Sequence, residues 1–103
     1  MDIEDLRDYL KENSSVEDLF TSKCLQYLEE KNKSRPAAKQ WPQEKIDRAA
    51  AKMYYSFLQN IHDKISNSFK DLAKHDPSKW ENFIKVHDIV DELEESVVDI
   101  EFE

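Results

Sequence analysis

Glycine is absent from all 103 residues of the chain. A turn that needs positive φ must then use Asn or Asp, or be avoided. Glycine-rich phosphate loops of Walker or Rossmann type are excluded, and so is a G-x-S-x-G nucleophile elbow. Cysteine is nearly absent too. The single Cys24 allows no internal disulfide, which fits a reducing compartment. It falls among the apolar positions of a helical pattern and reads as an inert buried thiol. No apolar run approaches the roughly 18 residues that span a bilayer. The opening "MDIEDLRDYL" is acidic, unlike a secretory signal. The expectation is a cytoplasmic protein without a membrane partner, in one domain with one core.

Charge is abundant and unevenly placed. The net charge is −8. Residues 1–20 carry net −5, residues 21–52 net +4, residues 53–86 net +1 and residues 87–103 net −8, with no base among the last group. Both ends are acidic and the middle is basic.

The apolar periodicity is helical throughout, so the expected fold is all-α: a four-helix, bundle-like domain over residues 1–98 with an acidic tail, 99–103, that is mobile. Asp2 caps a first helix with Asp5 at its N3 position, and Ile3, Leu6, Tyr9 and Leu10 form its stripe. Ser14 and Glu17 spell a capping box for a second, running to about Lys33. "SRPAAKQWPQ" (34–43) is the one clear loop. A third stripe then follows: Ile46, Ala50, Met53, Phe57, Ile61, Ile65, Phe69 and Leu72. From 44 to 74 a helix would span about 46 Å, against a diameter of roughly 35 Å for a compact chain of this size. It must break at "SNS" (66–68), protrude or pack on a second copy, and a homodimer is the expectation. Asp76, with Pro77 at N1, caps a fourth helix. Its stripes overlap: Trp80, Phe83, Ile84 and His87, then Val86, Ile89, Val90, Leu93 and Val97.

Little here points to catalysis. Three His-Asp pairs occur, at His62, His75 and His87, but adjacent helical residues point about 100° apart and do not chelate; His87 with Asp91 has ligand spacing yet supplies only two ligands. No metal or other cofactor is expected. "IHDKIS" resembles the histidine motif of phosphotransfer helical bundles, in which lysine and glycine closely follow the histidine. That resemblance implies a phosphorylatable His62; Lys64 stands two residues on rather than three, and no glycine follows.

Two charged surfaces remain. Asp88, Asp91, Glu92, Glu95 and Asp99 share one side of a helix opposite Leu93 and Val97. Such a ridge would steer a basic partner. The expected function is a non-catalytic protein-binding module: a small acidic inhibitor, immunity protein or adaptor occupying a basic surface of a larger protein. Phage- and plasmid-encoded anti-defence or toxin-neutralising proteins are analogous by class. The alternative is an accessory nucleic-acid binder acting through the basic Lys31–Arg48 stretch. There Lys33, Arg35, Lys39, Lys45 and Arg48 flank Trp41 and would track phosphates while the indole stacks a base.

Overall fold

The computed structural model describes residues 1–69 and 76–100. Among the described residues all regular structure is helical: α1 (Ile3–Asn13), α2 (Val16–Lys33), a 3-10 turn (Ala37–Lys39), α3 (Gln43–Ser66), α4 (Pro77–Val86) and α5 (Ile89–Val98). The fold is all-α, with five α-helices in place of the four expected.

Two helices open as their sequence reads. Asp2 accepts from the Asp5 N–H at 2.8 Å and Asp5 accepts from the Asp2 N–H at 3.2 Å, closing a capping box on α1. Asp76 accepts from the Ser78 N–H at 3.0 Å, with Pro77 in the first turn of α4. The start of α2 differs. Its N-cap is Ser15, while the Ser14 N–H and hydroxyl both donate to the Leu10 carbonyl and end α1. Glu17, the expected partner of Ser14, pairs instead with Arg7 at 3.0 Å. The Ser15 N–H donates to Glu94 of α5 at 2.9 Å. Two serines in succession allow two cap registers, and the long-range contact selects the second.

The third helix is long, 24 residues or about 36 Å, but ends at Ser66 in the "SNS" stretch. Ser68 and Phe69 donate their N–H groups to Ile65 and Ser66, turning the chain out of the helix. The Ser68 hydroxyl competes for the Lys64 carbonyl, as small polar side chains do. Leu72 and His75, at the far end of the expected helix, lie outside the described residues.

The expected fourth helix is two. The His87 and Asp88 N–H groups close α4 on the carbonyls of Phe83 and Lys85. Asp88 sits at φ 50°, the left-handed region, which Asp tolerates better than most residues and no glycine is present to take. Its carbonyl then accepts from the Glu92 N–H and opens α5. The break separates the overlapping stripes. Trp80 and Ile84 are buried from α4, Ile89, Val90, Leu93 and Val97 pack inward from α5, and Val86 at the seam is 66% exposed. His87, expected at an interior edge, is exposed, its ring 4.4 Å from that of Phe83.

α2 and α3 are the antiparallel centre of the molecule. Phe20 stacks on Phe57 at 4.5 Å and lies 5.6 Å from Tyr54. The buried stripe of α3 is Ile46, Ala50, Tyr54, Leu58, Ile61 and Ile65. Met53 and Phe57, expected in that stripe, are half-buried beside it. α1 covers both helices with Leu6 and Leu10, and Trp80 closes the core from α4. Each such buried side chain contributes roughly 1.5–3 kcal/mol. α5 lies along the first half of α2 in the same direction, Glu94 opposite Ser15 and Val98 opposite Lys23. The Lys23 ammonium donates to the carbonyls of Val98 and Ile100, a cation at the helix end that favours one. Ile100 is half-buried against the core. Glu101, Phe102 and Glu103 of the acidic tail lie outside the described residues.

The molecule is elongated, 53 × 22 × 22 Å, with a radius of gyration of 16.0 Å where about 13 Å is usual for its length. A helix of about 36 Å fits along it, so helix length gives no reason for a second copy. No described helix is long and apolar enough to cross a membrane.

Candidate functional site

The acidic side chains sort by what α5 does with them. Asp88 is its N-cap residue, Asp91 and Glu92 stand in its first turn, Glu95 in its last, and Asp99 at its C-cap. At 100° per residue these five stay on one side over about 16 Å, and all five are exposed. Among the described residues none of the five carboxylates has an ion-pair or hydrogen-bond partner. Glu94, just off this line, is the exception on the helix, because it caps Ser15. The break at Asp88 also changes the electrostatics. In one continuous helix all this acid would lie toward the C-terminus, where the dipole opposes it. In α5 as it stands, Asp91 and Glu92 lie at the favourable N-terminal end, and only Glu95 and Asp99 at the unfavourable one.

The basic residues gather at the opposite kind of structure, the connection between α2 and α3. Lys33 ends α2, Lys39 lies in the 3-10 turn, and Lys45 and Arg48 project from the start of α3. Trp41 is half-buried on the core. The Asn32 side chain fastens it: its Oδ1 accepts from the Trp41 N–H at 2.7 Å and its Nδ2 donates to the Trp41 carbonyl at 3.1 Å. Arg35 donates to the same Oδ1 at 3.2 Å. Its guanidinium lies 4.1 Å from the centre of the indole, and the Lys45 ammonium lies 4.4 Å from it. The structure thus brings Arg35, Trp41 and Lys45 into one cluster and leaves Lys33, Lys39 and Arg48 exposed around it. The indole that would stack a base already carries two cations, each worth about 0.5–1 kcal/mol to the loop.

His62 is held rather than offered. Its Nε2 lies 2.9 Å from the Met1 carbonyl, so that nitrogen carries the proton. The ring stands 4.9 Å from Trp80, and Nδ1 lies 3.7 Å from Asp63. A phosphorylatable histidine needs an open ring nitrogen facing solvent, and the environment of His62 does not match that of the motif it resembles. Cys24 is fully buried, and burial pushes its thiol up to about 11, the behaviour of an inert thiol. No group of three or more metal-ligating side chains forms among the described residues.

One concave feature escaped the sequence. Where α1, α2 and α3 meet, a cleft of about 290 Å³ is lined by Arg7, Glu17, Asp18, Asp47, Tyr54 and Tyr55, among others. The Tyr54 side chain forms its inner wall and is 4% exposed, and its hydroxyl has no hydrogen-bond partner. Burial, then the Glu17 carboxylate, push the phenol pKa up, with Arg7 opposing them. Leaving a buried hydroxyl unpaired costs about 1–3 kcal/mol. The signal was the step of four from Ala50 to Tyr54 to Leu58, which places a phenol in a core stripe. Compared with known proteins, the chain matches no family model, no curated protein and no solved structure.

Proposed function

We propose that the chain is a non-catalytic protein-binding module whose α5 face occupies a basic surface of a larger protein, as a small inhibitor, immunity protein or adaptor would. One observation carries this reading: five exposed carboxylates, Asp88, Asp91, Glu92, Glu95 and Asp99, stand along one side of α5 with no partner among the described residues. The buried side of the same helix anchors it through Leu93 and Val97 and through the Glu94 and Lys23 contacts. A rigid line of one charge accelerates encounter with a surface of the other and excludes like-charged partners. The nucleic-acid alternative draws less support, since Arg35 and Lys45 cover Trp41.

The test is capture of binding proteins from the native host with the wild-type chain and with a variant carrying lysine at positions 88, 91, 92 and 95. A partner with a basic surface should be retained by the first and lost by the second, while circular dichroism of the two stays alike. Retention should also fall as salt rises. Equal capture by both chains would refute the assignment of α5. Loss of capture on replacing Lys33, Arg35 and Trp41 by alanine instead would move the site to the loop.

A further inference from the structure

The α5 face is convex and supplies a field; the cleft between α1, α2 and α3 is concave and supplies a socket. Three carboxylates line it, Glu17, Asp18 and Asp47, against one cation, Arg7. That cation is committed to Glu17 at 3.0 Å, and Asp47 accepts from Gln43 at 2.9 Å. Asp18 is exposed and has no hydrogen-bond or ion-pair partner among the described residues. The balance of the lining is negative. At the inner wall the Tyr54 hydroxyl is sealed from solvent, unpaired, and within electrostatic reach of Glu17, Asp18 and Arg7. Its oxygen can accept a hydrogen bond while its proton goes to a carboxylate. Tyr55, 47% exposed at the rim, adds an aromatic face of the kind that attracts a cation. The volume, about 290 Å³, is just below the roughly 300–1,000 Å³ of small-molecule pockets and suits one side chain.

We propose that this cleft receives a single cationic side chain of a partner protein, an arginine or lysine, whose nitrogens donate to the Tyr54 hydroxyl and to the Asp18 and Asp47 carboxylates. This rests on the reading of the chain as a binder of basic surfaces and adds to it the place where one residue of the partner is gripped.

The probe is N-acetyl-arginine amide, titrated into the full chain and followed by amide chemical shifts, with the uncharged isostere N-acetyl-citrulline amide as control. Saturable shifts of Thr21, Ala51 and Tyr55 are expected with the arginine compound only, in the millimolar range usual for so small a ligand. Replacing Asp18 and Asp47 together by asparagine should weaken binding about tenfold or more, since charge-assisted hydrogen bonds are lost. Tyr54→Phe should weaken it about threefold to tenfold, as one neutral acceptor is removed, without unfolding the chain, because that hydroxyl has no internal partner to lose. Equal binding of citrulline, unchanged affinity in both variants, or shifts confined to α5 would each overturn the proposal. The two readings separate cleanly. A lysine-rich peptide that shifts the α5 amides and not those of the cleft would remove the socket and keep the α5 face. Arginine binding in the cleft, with capture unaffected by charge reversal on α5, would keep the socket and remove the α5 face.

Discussion

The α5 face and the α2–α3 loop carry charge of opposite sign at similar density, yet they use it in opposite ways. In the loop, Asn32 holds the Trp41 backbone from both sides, and Arg35 and Lys45 lie on the indole ring. Much of that charge is engaged in building the loop. On α5 the apolar side and Glu94 do the anchoring, and the other carboxylates are left facing solvent. The difference teaches that a run of like charge in a sequence does not declare its role. The role depends on whether the fold supplies partners, which only the assembled neighbours reveal.

The largest expected effect that sharpens this contrast is Trp41→Ala. A fully buried Trp→Ala change costs about 3–5 kcal/mol. For a half-buried ring that also holds two cations on its face, the cost should be about 2 kcal/mol. Urea unfolding would measure it, and hydrogen exchange should show weakened protection around 32–45 with α5 unchanged. A change of under about 0.5 kcal/mol, the ordinary range for a surface substitution, would mean the loop cations are as free as the α5 acids, and the contrast would fail.

How much of the fold is legible in the sequence follows from the range of the interaction. The capping box at Asp2 and the Asp76–Pro77 start are readable because they are made within four residues. The Ser14 box is misleading because Ser15 is capped by Glu94, 79 residues away. The fourth helix reads as one because its overlapping stripes fit either a wide apolar face or two helices. Asp88, at positive φ, decides between them, and an Asp in a helical pattern carries no local mark of that role. The acidic line on α5 is legible, since helical phase alone fixes it. That Arg35 and Lys45 lie on Trp41 is not, because loop side chains obey no such phase, and the cleft needs three helices to exist.

Asn32→Ala is the next test. The side chain makes hydrogen bonds to both backbone groups of Trp41 and one to Arg35. Removing it leaves a half-buried N–H and C=O without those partners, at a cost of about 1–2 kcal/mol. The hold of the two cations on the indole should weaken with it, so the double variant Asn32→Ala/Trp41→Ala should be less destabilised than the sum of the two. Strict additivity would show that the asparagine and the indole act separately and that the loop is not one built unit.

The smallest effects lie within α5 and turn on the sign of its dipole. Asp91 and Glu92 stand at the N-terminal end and Glu95 at the C-terminal end. Neutralising the first pair, as Asp91→Asn/Glu92→Gln, should destabilise the chain by about 0.3–1 kcal/mol at low salt. Glu95→Gln should stabilise it by a few tenths. Both effects should shrink as salt screens them. Mutual repulsion among the unpaired carboxylates works against the first shift and with the second, so a destabilisation in the first variant is the more telling result. It requires a helix N-terminus beside Asp91, and hence the break at Asp88. Were α4 and α5 one continuous helix, all three residues would lie toward its C-terminal end, and both variants would gain stability. Thermal unfolding at two salt concentrations therefore reads the position of the break, and with it the geometry that sets five carboxylates in line.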